Sequence, residues 1–524
     1  MKKILSILLS VLMVFSCCGA FMASAAEDHL PQIYVEGLES KGVYYKEDTN
    51  MENPLFFPID GNKLITELLK YEPLLKEAFA SQNSDLIAAY LTEWIMACFG
   101  DVALGKDGYT MSDKVMVPET ELNHWGDGKY VFKYDCRLGG VDLAVELADY
   151  IEMVKAATGA DKVELVASSY GSAVVLALLN EYSPAINANA KLVNGKDILE
   201  SIDSILLCVP SAKGVDFASE LFSGNIDVKP EALKAFLDDK LNDNDISLLL
   251  STLIKTGTLG AMLDDMLLPF VNTALMNSVK SVILNVFGTM PSMWSFVDDE
   301  HFVDALINIY GEDYANPDHE YAGLIERITY YHNNIQNKST EILKAAETAG
   351  HEVNIICKYG DPSIPISTKG NVLSDGFVAV TEASFGATAA LNEQTLPTDY
   401  TQANTACGHN HISADRCIDA STCDFPENTW FIKNLWHGTK SDAYYTMINE
   451  IVYNDIKVNE WAKYPQFLVV PEDDNNVLVS LDEYLAVPEN KEEVKETTWL
   501  EDFLAFLRGI FPRLIAMIKG LFNK

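Results

Sequence analysis

The chain has 524 residues, 48% of them hydrophobic, and its 76 acidic against 38 basic residues give a net charge of −38. So acidic a surface would repel a phosphate backbone, which argues against nucleic-acid binding. The chain is too long for one plain domain of typical size, so insertions or a second module are expected.

Residues 1–25 have the pattern of a secretory signal peptide. A basic start and a mostly apolar run precede the small residues Ala23 to Ala25, which fit a cleavage site better than a retained membrane span. A lipoprotein anchored at Cys17 is an alternative, but Phe15 fits that pattern poorly. The sequence therefore predicts an exported protein that is extracellular or associated with the cell surface.

The segment 26–212 alternates predicted strands and helices, apart from a helix-rich insertion over about 45–120. The strand candidates are 31–39, 130–133, 163–166 and 205–210, and an amphipathic helix is predicted over 142–157. This alternation predicts an α/β fold with a mostly parallel sheet covered by helices on both faces.

A sharp turn is predicted where the strand at 163–166 meets the helix that follows it. The turn reads Ala167-Ser168-Ser169-Tyr170-Gly171, with small residues two positions before and two after Ser169. This is the pattern of a nucleophile elbow, in which the serine side chain stands free at the helix N-terminus. An ordinary strand–turn–helix with polar turn residues is the alternative interpretation.

The segment 213–350 is rich in Leu and Met and shows helical periodicity without a clear alternating strand. So long an insertion between two strands of one sheet predicts a helical cap or lid. Its apolar faces would serve helix packing, or in part the wall of an acyl-chain pocket, for which Met is well suited.

The sheet resumes in the segment 351–454, which carries the candidate acid and base. His437 follows a predicted last strand and precedes a helix, where the base of a strand–elbow–helix hydrolase belongs. His409 and His411 are interpreted instead as polar surface residues of a cysteine-bearing loop.

Two aspartates are candidates for the acid that orients this histidine. Asp375 is favoured because Gly376 follows it and permits a tight turn, whereas Asp361 comes directly after its strand and remains the alternative. The backbone N–H groups of Tyr170 and Leu38 are the expected donors to an oxyanion.

Cleavage of the signal segment would leave seven of the nine cysteines. Cys208 and Cys357 lie in apolar runs and are interpreted as buried thiols. One disulfide is plausible among Cys407, Cys417 and Cys423, and an odd number leaves at least one thiol free. No cysteine pair has metal-ligand spacing with a matching partner pair, so neither a zinc site nor any cofactor is inferred.

The C-terminal part contains two segments of different character. Residues 455–498 are predicted to be an acidic, irregular linker. Residues 499–524 are basic and strongly apolar, with Pro512 dividing the predicted amphipathic helix. Such a helix suits attachment to a membrane surface, and docking on the protein itself or on a partner is the alternative.

In these features the chain resembles the lecithin:cholesterol acyltransferase-like branch of the α/β-hydrolases and, less closely, bacterial lipases. The matching pieces are 35–38, 134–137, 165–172, 375–378 and 429–438. The resemblance implies an α/β-hydrolase fold and a Ser169, Asp375, His437 triad. It also implies acyl-ester or lipid substrates, either hydrolysed by a lipase, phospholipase or esterase or transferred to an alcohol through an acyl-serine.

The chain departs from this family at four positions. It has Glu36 where the family has histidine, Ser168 in place of another histidine, Ser172 where a second glycine is common, and Cys136 where an aromatic residue is common. A negative charge at Glu36 would oppose an oxyanion unless the side chain points away or is protonated. A catalytically weak surface binding protein that keeps the fold is therefore the alternative function.

Overall fold

The structure, a computed structural model, describes residues 29–56, 83–225 and 268–487 and scattered positions between 67 and 81. Within these ranges, residues 39, 127, 365–366, 455, 459, 472–473 and 475 are not described. The predicted signal segment, residues 226–267 of the predicted cap and the C-terminal helix at 499–524 lie outside the described residues.

The strands are β1 Gln32–Val35, β2 Tyr44–Tyr45, β3 Val115–Met116, β4 Asn123–His124, β5 Lys129–Phe132, β6 Val163–Ser168, β7 Ile202–Cys208, β8 Glu352–Tyr359, β9 Asp361–Pro362, β10 Leu373–Ser374, β11 Thr388–Ala389, β12 Ile418–Asp419, β13 Thr429–Lys433, β14 Phe467–Val469 and β15 Val479–Ser480. The α-helices are α1 Ser84–Phe99, α2 Gly140–Thr158, α3 Gly171–Tyr182, α4 Asp216–Ser223, α5 Leu268–Asn285, α6 Pro291–Trp294, α7 Phe302–Tyr310, α8 Ala322–Tyr331, α9 Ser339–Thr348, α10 Val380–Ala383, α11 Asp442–Asn454 and α12 Leu481–Ala486.

Nine strands form one sheet in the order β15-β14-β13-β8-β7-β6-β1-β5-β4. The strands between the two edges run parallel, whereas β4 and β15 pair antiparallel to their neighbours. The predicted α/β architecture with a mostly parallel sheet is confirmed.

Side chains alternate between two apolar layers along the central strands. In β6, Leu165 and Ala167 lie in the layer shared with α2 and α3, whereas Val166 lies in the layer covered by α11. All three side chains are fully buried. Because both faces are covered, the strands are almost continuously apolar, as is typical of a parallel sheet.

The predicted insertion at 45–120 contributes α1 and the small antiparallel β2–β3 sheet among its described residues. A buried ion pair fastens this insertion to the sheet. The Arg137 guanidinium donates two hydrogen bonds to the Asp135 carboxylate, at 2.9 and 2.7 Å, and a third of 2.9 Å to the Val102 carbonyl. The motif at 134–137 therefore has a structural role beside the sheet.

Helices α4 to α9 lie along the chain between β7 and β8, two strands that are neighbours in the sheet. Several of them share an apolar cluster of their own, separate from the two layers of the sheet, which includes Phe222, Ile283, Trp294, Phe302 and Leu324. Helix α9 differs, because its apolar side chains belong to the core of the sheet. The C-terminal end of the segment predicted as a cap therefore covers the sheet.

The prediction of an irregular linker over 455–498 is wrong at 467–469 and 479–486, which have regular structure. The strand β14 pairs parallel with β13, β15 pairs with β14, and the helix α12 follows. The strand at 429–433 is therefore not the last of the sheet. The apolar run 467–470 is only four residues long, and acidic residues follow it, so its sequence pattern did not indicate a strand. The residues of β14 are nevertheless all buried.

The disulfide predicted as plausible among Cys407, Cys417 and Cys423 is not formed in the described part of the chain. Cys423 is buried with its Sγ 3.9 Å from Thr429 Oγ1, whereas Cys407 is exposed beside His411. Their sequence proximity did not place the thiols together. Among the described residues, no helix combines the length and the apolar character that a membrane crossing requires.

Candidate functional site

Ser169 occupies the turn between β6 and α3 in a conformation that non-glycine residues rarely adopt, with φ of 52°. Two contacts hold this turn: the Ser169 N–H donates to the Cys208 carbonyl at 2.9 Å, and the Ser172 hydroxyl donates to the Ser169 carbonyl at 2.6 Å. Ser169 is 7% exposed. The turn therefore has the local geometry expected of a nucleophile elbow.

Gly171 is required by the packing of this turn against β1. A Cβ atom at this position would lie 2.5 Å from the Val35 carbonyl oxygen and 2.7 Å from that of Glu36. Any side chain would therefore push α3 away from the end of β1.

The turn after β1 lies directly beside Ser169. A Cβ atom at Gly37 would be 3.1 Å from the Ser169 Cβ and 3.6 Å from its Oγ. Within the described residues, neither the Leu38 nor the Tyr170 N–H makes a hydrogen bond. Leu38 and Tyr170, the expected oxyanion donors, directly follow Gly37 and Ser169 in these two turns.

His437 follows β13 and lies against Ser169, with its Nε2 3.0 Å from the Ser169 Oγ. Its Nδ1 lies 2.7 Å from the Asp375 Oδ2. The backbone joins the same two residues, because the His437 N–H donates to the Asp375 carbonyl at 2.8 Å. The three residues predicted from the sequence therefore form one continuous hydrogen-bonded chain.

The second carboxylate oxygen of Asp375 orients the group. The Phe377 and Val378 N–H groups donate to Asp375 Oδ1 at 3.0 and 2.7 Å, and the side chain is completely buried. Asp375 is therefore held as an acceptor on both oxygens, with Oδ2 aimed at the imidazole. This arrangement requires the proton of a neutral His437 on Nδ1 and leaves Nε2 as an acceptor toward Ser169.

Asp361, the alternative acid, lies alongside Asp375 rather than in its place. The two residues form an isolated parallel bridge, and the Ser374 hydroxyl donates to the Asp361 backbone carbonyl at 2.9 Å. Asp361 therefore helps to shape the loop that carries Asp375.

Lys358, a residue that sequence reasoning missed, holds the loop that carries His437. Its ammonium group donates to the carbonyls of His437 at 3.1 Å and Thr439 at 2.9 Å, and lies 4.3 Å from the ring centroid of Tyr444. Burial lowers the pKa of Lys358 to about 8, and the Asp375 charge opposes this shift. The signal available in the sequence was a lysine placed between the mostly apolar run 353–357 and Tyr359.

Aromatic side chains cover the imidazole on one side. The ring centroid of Phe377 lies 5.0 Å from that of His437, and Phe217 and Phe296 pack against Phe377 at 4.9 and 6.2 Å. Phe217 and Phe296 both belong to the segment between β7 and β8. This segment therefore contributes an apolar wall to the site.

Glu36 and Ser168 are two positions at which the chain departs from the family it resembles, and both lie near the candidate site in the sequence. The Glu36 carbonyl accepts a hydrogen bond from the Tyr134 hydroxyl. Burial raises the pKa of Tyr445, and Cys208 and Glu36, when negatively charged, raise it further. Burial raises the pKa of Tyr34, and the neighbouring Ser168 side chain opposes this shift.

No family model matches the chain, and no curated protein matches it. Among solved structures, "The crystal structure of Tle4-Tli4 complex" aligns with 63% of this chain and 75% of that chain, at 10% identity and a TM-score of 0.24. So low a TM-score carries no argument about the fold or the activity of this chain.

The interpretation of His409 and His411 as surface polar residues is wrong for His411, which is fully buried. Both imidazoles lie with Cys407 and Glu427 in one group of potential metal ligands. Spacing alone did not indicate this group, because Glu427 follows the histidines by 16 to 18 residues.

Proposed function

We propose that this protein is an exported serine hydrolase with an α/β-hydrolase fold that acts on acyl esters. It would hydrolyse them, as a lipase, phospholipase or esterase, or transfer the acyl group to an alcohol. The observation that carries the proposal is the hydrogen-bonded chain from Asp375 through His437 to Ser169, whose φ is positive.

In the proposed mechanism, Ser169 Oγ attacks the ester carbonyl while His437 Nε2 takes its proton. Asp375 keeps the imidazole in the required tautomer and stabilises its charged form. The N–H groups of Leu38 and Tyr170 stabilise the oxyanion. His437 then protonates the leaving alcohol, and the acyl-Ser169 ester remains.

The second half of the reaction reuses the same groups. Water or an acceptor alcohol gives its proton to His437 Nε2 and attacks the acyl carbonyl. The Ser169–acyl bond breaks, Ser169 regains the proton, and an acid or a new ester leaves. Hydrolysis and transfer therefore differ only in the group that attacks.

The sheet supports the proposed fold. Ser169 follows β6, the loop after β8 carries Asp375, and His437 follows β13, so the three residues occur in the order Ser, acid, His of an α/β-hydrolase. They meet at the carboxyl edge of the parallel strands, where ligands bind in open α/β sheets. The helices between β7 and β8, with their own apolar cluster, are the proposed cap.

The aromatic wall supports an apolar acyl group as the substrate part bound next to Ser169. Phe217 and Phe296 reach Phe377 from the proposed cap, so the wall is built from both parts of the chain. We further propose that residues 499–524 attach the enzyme to a membrane surface, which would bring it to lipid substrates.

A fluorophosphonate probe tests the proposal. The probe should label the mature protein at Ser169, and Ser169→Ala should abolish labelling and lower ester turnover by on the order of 10⁴-fold or more. Ser168→Ala is the matched control and should retain most activity. Absence of Ser169 labelling in folded protein would contradict the enzyme hypothesis and favour a binding protein. Esters of varied chain length, with and without an added alcohol, would then separate hydrolysis from transfer.

A further inference from the structure

Four potential metal ligands lie together in the long connection between α10 and β13. Cys407, His409 and His411 alternate along this loop, and Glu427 precedes β13. One ligand atom from each of the four lies within 4.8 Å of all the others. The cluster is built from residues that the proposed hydrolase chemistry does not use.

The buried imidazole of His411 lies close to two of the other ligands. Its Nε2 lies 3.1 Å from Cys407 Sγ and 3.0 Å from Glu427 Oε1. His409 Nδ1 lies 3.1 and 3.0 Å from the two oxygens of Glu427. A tetrahedral ion with ordinary bond lengths to one S, two N and one O needs ligand atoms about 3.3 to 3.7 Å apart. A small outward adjustment of these side chains would meet that requirement.

Gln466 determines which nitrogen of His411 faces the cluster. The Gln466 amide nitrogen donates to the carbonyls of Pro426 and Thr429 at 2.7 and 3.0 Å. The Gln466 oxygen therefore faces His411 Nδ1, at 2.6 Å, and accepts a hydrogen bond from the Nδ1–H group. In neutral His411 the Nε2 lone pair then faces a thiol sulfur and a carboxylate oxygen. A cation between these groups would remove the repulsion between the lone pairs of His411 Nε2 and the Glu427 carboxylate.

This support resembles the outer shell of metal sites, where a ligating histidine donates its other N–H to an oxygen acceptor. The loop itself is also held in place: Gln402 Nε2 donates to the His409 carbonyl at 2.9 Å, and Gln402 Oε1 accepts from the His411 N–H at 2.7 Å. The hydrogen bonds of Gln402 to the backbone of His409 and His411 therefore fix the spacing of the two histidines without a metal ion.

We propose that Cys407, His409, His411 and Glu427 bind one Zn²⁺ ion in a closed, structural site. A thiolate and a carboxylate together carry two negative charges, which a divalent cation neutralises, and the mixed sulfur, nitrogen and oxygen donors suit zinc. All four tetrahedral positions are filled by protein, so the ion has no open position for a substrate.

The site has a structural purpose in this part of the fold. Between α10 and β13 the described regular structure is limited to the two-residue strands β11 and β12 and a three-residue 3₁₀ turn. The ion would join this loop to the start of β13 through Glu427, and Gln466 would join the site to β14. Zinc binding would therefore contribute directly to the stability of this region.

The test uses the full mature chain, purified in reductant and loaded with zinc or, separately, with Co²⁺. We expect about one zinc per chain by elemental mass spectrometry, and a sulfur-to-cobalt charge-transfer band with the intense visible bands of tetrahedral Co²⁺. Cys407→Ser and His409→Ala should each lower zinc affinity at least 100-fold. His409→Ala is chosen because the His409 side chain is 48% exposed, so its loss opens no core.

Cys417→Ser is the matched control, because Cys417 is a thiol of the same loop outside the cluster. It should retain wild-type zinc affinity and the charge-transfer band. A zinc chelator should lower the unfolding temperature of the wild type and of Cys417→Ser, but not that of His409→Ala. The proposal is overturned if wild type binds no zinc, if the cobalt form lacks the charge-transfer band, or if His409→Ala keeps wild-type affinity. These readouts do not depend on ester turnover.

Discussion

Asp375→Asn tests the proposed acid, because the hydrogen bonds around this side chain favour one orientation of the substituted amide. Its oxygen must stay where Asp375 Oδ1 accepts from the Phe377 and Val378 N–H groups. Flipping the amide would point its NH₂ group at these two donors and leave buried groups unsatisfied, at a cost of about 1–3 kcal/mol each. The amide NH₂ therefore faces His437 Nδ1.

An NH₂ group at this position reverses the tautomer of His437. The imidazole must then accept through Nδ1 and carry its proton on Nε2, which lies 3.0 Å from Ser169 Oγ. Such an imidazole cannot take the serine proton. A tautomer reversal of this kind in a serine protease lowers kcat by roughly 10⁴-fold, and we expect a loss of about 10³- to 10⁴-fold here. That loss corresponds to about 4 to 5.5 kcal/mol of barrier.

The assay is the kcat/KM for a chromogenic short-chain ester, with the rate of fluorophosphonate labelling as a second readout. Asp361→Asn is the matched control, because Asp361 bridges to Asp375 through its backbone, and it should lose less than about tenfold. If Asp375→Asn stayed within tenfold of wild type, or if Asp361→Asn were the more damaging, the assignment of the acid would be refuted.

Four further predictions follow from the same contacts. His437→Ala should reduce ester turnover nearly as much as Ser169→Ala, because the triad acts as a unit. Steady-state kinetics of both variants and of their combination would contradict this if the two losses were additive. Gly171→Ala should lower the free energy of unfolding in urea by roughly 1–3 kcal/mol, since its Cβ meets backbone oxygen at 2.5 Å; unchanged stability would contradict this packing. Lys358→Met should lower kcat at least tenfold with little change in KM. Burial lowers the pKa of Lys358 to about 8, whereas in the unfolded chain a lysine keeps its proton to about pH 10. The free energy of unfolding of the wild type should therefore rise relative to that of Lys358→Met between these two pH values. A parallel pH dependence of the two proteins would contradict this prediction. Deletion of 499–524 should abolish co-sedimentation with liposomes, and equal binding with and without this segment would rule out the anchor.

Local sequence patterns were sufficient for the parts of the fold that depend on neighbours in the chain. The alternation of strand and helix around Ser169 predicted a mostly parallel sheet, because a strand buried on both faces must be apolar almost throughout. The small residues Ala167 and Gly171 indicated the tight turn before its geometry was known. The positions of Asp375 and His437, each after a strand, were also visible in the sequence.

Features that depend on the spatial pairing of distant segments were not visible in the sequence. The strand β14 is three residues long in acidic surroundings, and only its register beside β13 makes it part of the sheet. Asp375 and Asp361 are both plausible in sequence, and the hydrogen bond of Asp375 to His437 distinguishes them.

The proposed zinc site shows the same limit. Cys407, His409 and His411 are close in sequence, but the fourth ligand, Glu427, and the orienting amide of Gln466 come from further along the chain. Sequence alone determined which residue types were available for chemistry and roughly where the chain turns. The tertiary structure decided which of them meet, because side-chain contacts across a sheet depend on strand order and register, which no local pattern encodes.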